Sequence, residues 1–210
     1  MTRIILVRHG QTQWNVEERF RGSFDIPLDE TGIAQAQALA RRLSAEPVSA
    51  VYSSPLQRAL KTAEIISQPH SLTPIVHQGL NNINYGELEG RKISEVAREL
   101  PEFFQKLMAT PHLVRFPGGD TLDDLTVRSM AALHEIIAAH PRETVVVTSH
   151  QVITRVLICA IIGLDNSYHW MFSQDTCCAN FFRFQKGRFI VDRLNDVCHL
   201  GDSAGMPPDE

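Results

Sequence analysis

Short runs of β-branched residues alternate along this chain with longer helical segments, and this alternation limits the fold more than any other feature. The runs that predict strands are residues 3–7, 48–54, 74–80 and 143–149. The segments that predict helices are residues 31–47, 54–67, 93–110 with a break near Pro101, 120–140 and 151–164. Such alternation indicates an α/β fold with a mostly parallel sheet that helices cover on both faces. A final hairpin around Lys186 and Gly187 adds antiparallel strands.

Length and composition support one domain over residues 1–210, with a flexible tail after about residue 200. The chain has 210 residues, of which 43% are hydrophobic, and a net charge of −4. That charge argues against general binding to nucleic acid or to anionic membranes. The most apolar stretch, residues 156–164, is too short to cross a bilayer. The four cysteines have no C-x-x-C spacing, which indicates reduced thiols and a cytoplasmic protein.

Two histidines and two arginines occupy positions where this kind of fold binds ligands. Arg8 and His9 follow the first strand, and His150 follows the strand at residues 143–149. Arg58 lies in the first turn of a predicted helix, where free N–H groups favour an anion. Gly10 lets the backbone turn and approach a ligand closely. Because ligands bind at the carboxyl ends of parallel strands, these side chains are expected to converge on a phosphoryl group.

This set of residues predicts a chemistry for the site. A neutral imidazole of His9 can attack phosphorus and form a phosphohistidine. Arg8, Arg58 and a protonated His150 are expected to hold the charge on the phosphoryl oxygens, and Asn15 can add a neutral donor. Neither a metal nor another cofactor is needed, because fixed cations supply the positive charge.

Six motifs in fixed order resemble the histidine phosphatase superfamily, in its branch of phosphoglycerate mutases and small phosphomonoesterases. They are "LVRHGQTQWN", "FRGSFDIPLDETGIAQA", "VYSSPLQRALKTAEII", "GELEG", "FPGGDTLDDL" and "VVVTSHQVITRVLICAIIGL". The resemblance extends from Thr2 to about Leu200. It implies a three-layer α/β/α sandwich with a mostly parallel sheet of about six strands. It also implies a small phosphorylated substrate and a possible homodimer.

The resemblance assigns roles by position. His9 matches the phosphorylated nucleophile. The positions that match the phosphate pocket are Arg8, Asn15, Gly22, Arg58, His150 and Gln151. Gln151 stands where the family usually has glycine, a mild departure that narrows the pocket.

A larger departure lies in "LNNINYGELEG", residues 80–90. Asn82 occupies the position of the family's glutamate, the general acid for the leaving alcohol and the base for water. An amide cannot give a proton to the leaving alcohol or take one from water. Loss of a general acid–base group lowers the rate by about 10²–10⁴-fold. Three outcomes follow. Glu87 or Glu89 substitutes, or the enzyme is slow or restricted to good leaving groups. Otherwise most turnover is lost and phosphate binding is kept, or the asparagine is an engineered change that traps an intermediate.

The sequence therefore predicts a metal-independent phosphomonoesterase acting through phospho-His9. The alternatives are a mutase and a binding protein for a phosphorylated ligand. A mutase needs extra cations for a second phosphate, and the segment expected to supply them holds only Arg91, Lys92, Arg98, Lys106 and Arg115. The substrate stays open between a sugar phosphate, a phosphorylated amino acid and a nucleotide-loop precursor. Residues 81–119 are expected to cover the pocket, with Trp14, Phe20 and Tyr85 as possible apolar walls.

Overall fold

The structure is a computed structural model that describes residues 1–204. Its six strands are β1 (Thr2–Arg8), β2 (Val48–Ser53), β3 (Ile75–Val76), β4 (Thr144–Ser149), β5 (Ala179–Gln185) and β6 (Arg188–Asp196). Its α-helices are α1 (Gln13–Val16), α2 (Glu30–Leu43), α3 (Gln57–Ser67), α4 (Ile93–Glu99), α5 (Pro101–Ala109), α6 (Leu122–Ala139) and α7 (Gln151–Ile162).

The strands form one mostly parallel sheet in the order β3-β2-β4-β1-β5-β6. The pairs β2–β3, β2–β4 and β1–β4 are parallel, whereas β5 is antiparallel to both β1 and β6. Helices lie on both faces, so the predicted fold class is confirmed. The hairpin between β5 and β6 turns at Lys186 and Gly187, as predicted.

Alternate residues of β1 build the two halves of the core. Ile4 and Leu6 pack in the cluster that includes α6 and α7, whereas Ile5 and Val7 pack in the cluster that includes α2 and α3. All four side chains are at most 1% exposed. Burial of such a side chain stabilises the fold by about 1.5–3 kcal/mol. The central strand is therefore held firmly from both faces, and its carboxyl end has a fixed position.

Several local predictions differ from the structure. The strand predicted at residues 74–80 is reduced to β3, and Gln78–Leu80 forms a 3₁₀ turn. Helix α3 starts at Gln57 rather than at residue 54, and Ser54 Oγ lies 2.8 Å from His150 Nε2. Pro101 divides the predicted helix at 93–110 into α4 and α5, as expected.

The predicted flexible tail after about residue 200 divides into two parts. Cys198–Ala204 forms 3₁₀ turns around a kink at Gly201, and the rest of that tail lies outside the described residues. Within residues 1–204, every helix is either too short or too polar to span a bilayer.

Candidate active site

Three neighbouring parallel strands end side by side and deliver the central residues of the site. Arg8 of β1 pairs in register with Ser149 of β4, so the residues that follow them, His9 and His150, are neighbours. Their ring centroids are 5.2 Å apart, and both side chains are almost completely buried. Ser54 follows β2 at the same sheet edge. The structure thus brings both predicted histidines together.

His9 is held in one tautomer by its own backbone neighbour. Its Nδ1 lies 2.7 Å from the carbonyl oxygen of Gly10. A carbonyl only accepts, so Nδ1 carries the proton and Nε2 keeps the lone pair. Burial, followed by the nearby charges of Arg58 and Arg8, lowers the pKa of His9 well below 6.5. The ring is therefore neutral at pH 7 and nucleophilic at Nε2.

His150 is oriented by Ser54. Its Nε2 lies 2.8 Å from Ser54 Oγ, which accepts a long hydrogen bond from the N–H of Leu56. When the hydroxyl of Ser54 donates to Nε2, the imidazole proton is on Nδ1. That Nδ1 is buried and has no hydrogen-bond partner among the described residues.

The surroundings of His150 act against its protonation when no ligand is bound. Burial and the charge of Arg58 lower its pKa well below 6.5, so the groups present keep it neutral rather than protonated. A neutral imidazole with its proton on Nδ1 still donates to a phosphate oxygen. A bound phosphate dianion raises the pKa of His150, which opposes the effect of Arg58.

The two predicted arginines are also buried, at 2% exposure or less, and both are close enough to lower the pKa of His9. The guanidinium of Arg8 donates through Nη1 to the carbonyl of Gln174. Arg58 donates through Nη1 to the carbonyl of Phe24 and through Nη2 to that of Gly22, at 2.6 and 2.9 Å. Burial lowers the pKa of Arg58 to about 9, so it remains charged at pH 7. Arg8, His9, Arg58 and His150 together form what we call the basic end of the site.

A loop through Gly22 joins the basic end to the segment that holds Asn82. Gly22 has φ +46°, and its carbonyl oxygen accepts from Asn82 Nδ2 at 3.1 Å as well as from Arg58. Asn15 Oδ1 accepts from the backbone and hydroxyl of Thr12, so the amide nitrogen is the group it can offer to a ligand.

The start of α3 and Gly10 both make close contacts within the protein. The N–H of Leu56, just before α3, donates to Ser54 Oγ, and the first N–H of the helix, that of Gln57, donates to Asp25 Oδ1 at 2.6 Å. Gly10 packs closely against α2. A Cβ there would lie 2.5 Å from the carbonyl oxygen of Gly32, inside van der Waals contact.

A cavity of about 280 Å³ opens beside the two histidines. Asn15, Asn82 and Gln151 line it, whereas Arg8, Arg58 and Gly22 are not among the residues of its wall. Beyond the basic end its walls are mainly apolar, and we call this part the apolar chamber. Its apolar walls are Phe20, Ile83, Tyr85, Ile93, Phe104, Leu107, Met108, Pro111, Phe116, Leu122, Val152 and Trp170. Trp14, predicted as a wall, packs instead on Phe24 at a centroid distance of 5.3 Å.

Sequence reasoning missed several residues of the site. Arg21 and Arg155 line the cavity, and the guanidinium of Arg155 lies 5.4 Å from the centroid of the Trp170 ring. His169, also on the wall, is 2% exposed. Ser54 was interpreted as part of a helix rather than as the partner of His150. No spacing in the sequence marks these residues, because the chain brings them in from separate elements.

This arrangement of two adjacent histidines and two buried arginines at the edge of a parallel sheet suits a phosphoryl group. The chain belongs to the histidine phosphatase superfamily (branch 1), whose family model matches residues 4–197. It is accordingly a phosphatase, a phosphomonoester hydrolase, which confirms the prediction from sequence.

The relatives define the class further. Phosphoserine phosphatase 1 of Hydrogenobacter thermophilus is 37% identical over 202 residues, with 96% of each chain covered. A metal-independent phosphoserine phosphatase of Arabidopsis thaliana is 33% identical, with 95% of this chain and 84% of that one covered. The solved structure of Bacillus stearothermophilus YhfR matches with a TM-score of 0.91 and 31% identity, over 95% of this chain and all of that one.

Proposed function

We propose that His9 is the nucleophile of a two-step hydrolysis that needs no metal. The observation that carries this proposal is the bond from His9 Nδ1 to the carbonyl of Gly10, which leaves the Nε2 lone pair for phosphorus. In the first step Nε2 bonds to phosphorus while the bond to the leaving oxygen breaks. In the second, water bonds to phosphorus and the N–P electron pair returns to Nε2.

The other residues of the basic end hold the phosphoryl oxygens. Arg8 and Arg58 are buried cations, and burial strengthens their attraction for charge that develops in the transition state. His150 donates from Nδ1, and Asn15 and Gln151 offer neutral groups on the cavity wall. Gly22 presents its backbone at the same place.

Hydrolysis is favoured over mutase chemistry because residues 81–115 supply no cation to the cavity wall. None of Arg91, Lys92, Arg98, Lys106 and Arg115 lies on that wall as residues 1–204 form it. The segment expected to recognise a second phosphate thus contributes no charge to the cavity. A small phosphomonoester is the proposed substrate, and the names of the relatives make phosphoserine one compound to assay.

The proposal is tested by trapping the phosphoenzyme. The protein is mixed with ³²P-labelled phenyl phosphate, quenched in alkali, which preserves phosphohistidine, and digested to locate the label. Label on the peptide that contains His9, lost in His9→Ala and retained in His70→Ala, is the expected result. Turnover that persists in His9→Ala would overturn the proposal, and so would label on another residue.

We also propose a cytoplasmic location and a homodimer. The free thiols of Cys159, Cys177, Cys178 and Cys198 fit a reducing compartment. Fractionation of cells and light scattering of the purified protein test the two statements separately.

A further inference from the structure

The leaving group of a substrate bound at the basic end must lie in the apolar chamber. A cavity of about 280 Å³ has room for a six-membered ring, and aromatic side chains form much of its wall. Tyr85 and Phe20 meet edge to face with centroids 5.0 Å apart, and Tyr85 and Phe116 at 4.7 Å. Such surfaces pack well against an apolar ring, and Arg19, Arg21 and Arg155 also line the cavity.

Asn82, at the position of the family's general acid, lies beside this chamber and presents a hydrogen-bond acceptor. Asn82 is 9% exposed, and its Nδ2 donates to the carbonyl of Gly22. That bond fixes the amide, so Oδ1 is the other polar atom, buried and without a hydrogen-bond partner among the described residues. An amide oxygen has no proton to give to a departing alkoxide.

The carboxylates considered as replacements are placed elsewhere. Glu89 accepts from the backbone and hydroxyl of Ser23 and from the backbone of Tyr85, so it fastens two loops together. Glu87 is exposed, and neither residue lines the cavity. Within residues 1–204, Glu18 is the one carboxylate on the cavity wall, and it is an exposed residue.

We infer that the substrates are aryl phosphates, in which a phenol is the leaving group. This inference rests on the proposed function and names its substrate class. A phenol ionises near pH 10, as a tyrosine does, whereas an aliphatic alcohol resembles water, near 16. The P–O bond to a phenol therefore breaks with the electron pair left on the phenolate, which takes its proton from solvent after release. The ring occupies the apolar chamber, and Asn82 has no proton to supply.

The test separates the shape of the leaving group from its acidity. Phenyl phosphate and cyclohexyl phosphate carry rings of similar size, but only the first leaves without a proton. Wild-type kcat/KM is expected to be at least 10²-fold higher for phenyl phosphate, at the lower end of a general-acid effect. Across substituted phenyl phosphates, the rate is expected to rise steeply as the pKa of the phenol falls. Equal rates for phenyl and cyclohexyl phosphate would overturn the inference.

Variants at the acid position sharpen the test. Asn82→Glu is expected to raise cyclohexyl phosphate hydrolysis by about 10²–10⁴-fold and to flatten the dependence on phenol pKa. Asn82→Gln, which keeps an amide, is the matched control and is expected to show no gain. Glu18→Gln is expected to leave the ratio of the two rates unchanged. A loss confined to cyclohexyl phosphate in that variant would make Glu18 the acid and overturn the inference.

The outcomes also separate this inference from the proposed function. Phosphohistidine that forms in a protein with no preference for phenyl phosphate would refute the aryl class alone. Absence of phosphohistidine from every substrate would refute the proposed function itself. If Asn82→Glu does not fold, as judged by circular dichroism, the wild-type rates with phenyl and cyclohexyl phosphate still test the aryl phosphate inference.

Discussion

The basic end and the apolar chamber of the cleft are built on different principles. The basic end stands on the ends of β1 and β4 and on the first turn of α3, and its side chains are at most 2% exposed with defined hydrogen bonds. The apolar walls of the chamber come from loops and from helices α4, α5, α6 and α7, and some of them, such as Met108 and Trp170, are over 40% exposed. Within one cavity, the basic end therefore places charge rigidly, and the chamber encloses an apolar group more loosely. Each part can be perturbed on its own.

Loss of Arg58 is expected to have the largest effect. Arg58→Ala removes a buried cation from the basic end and should lower kcat by about 10²–10³-fold for every substrate. Steady-state kinetics with phenyl and cyclohexyl phosphate measure this, with Arg98→Ala, whose side chain is 74% exposed, as the control. A loss restricted to one substrate would show that the two ends are not independent.

Loss of a chamber wall is expected to act on the leaving group alone. Phe104→Ala should lower kcat/KM for phenyl phosphate by about 10–30-fold, because part of the apolar contact with the ring is lost. The inhibition constant of inorganic phosphate should not change. Phe103→Ala is the matched control, since Phe103 is also partly buried but lies outside the cavity wall. Weaker inhibition of Phe104→Ala by inorganic phosphate would contradict the separation of the basic end from the apolar chamber.

The pH dependence of stability reports on His169 in the chamber. Burial, assisted by Arg155, lowers its pKa to about 3, so between pH 6.5 and 3 the unfolded state binds more protons. The stability contributed by neutral His169 is complete above pH 6.5 and is lost as pH falls, by up to about 1.4 kcal/mol per pH unit.

Urea unfolding of wild type and His169→Gln at pH 7.0, 5.5 and 4.5 measures this contribution. The variant should lose less stability on acidification than wild type. Tyr168→Phe, at the exposed neighbouring position, should keep the wild-type dependence. Parallel curves for wild type and His169→Gln would show that His169 is protonated in the folded protein.

Removal of the Ser54 hydroxyl is expected to have the smallest effect. Ser54→Ala deletes the hydroxyl that lies 2.8 Å from His150 Nε2, and one hydrogen bond contributes about 0.5–1.5 kcal/mol. We expect kcat to fall about fivefold with little change in KM, and Ser54→Thr to restore it. Ser53→Ala, which removes a neighbouring buried hydroxyl, should leave kcat near that of wild type. A change in KM alone would mean that Ser54 does not act through His150.

Periodicity in the sequence was sufficient for the layers of the fold. The alternation in β1 sends Ile4 and Ile5 to opposite faces whatever the rest of the chain does, and the break at Pro101 follows from its missing N–H. The start of α3 was less predictable. Ser54 is a good helix cap by residue type, but its hydroxyl bonds to His150, 96 residues away in sequence.

Residue type and order along the chain determined which groups serve the basic end, because a parallel sheet places the residues after neighbouring strands at one edge. Asn82 was likewise identified as a departure from sequence alone. The tertiary structure decided everything that depends on contact between distant segments: the hydrogen-bond partner and lowered pKa of His150, the engagement of Glu89 by Ser23, and the apolar walls of the chamber. Burial and hydrogen-bond partners set these properties, and they exist only once the chain has folded.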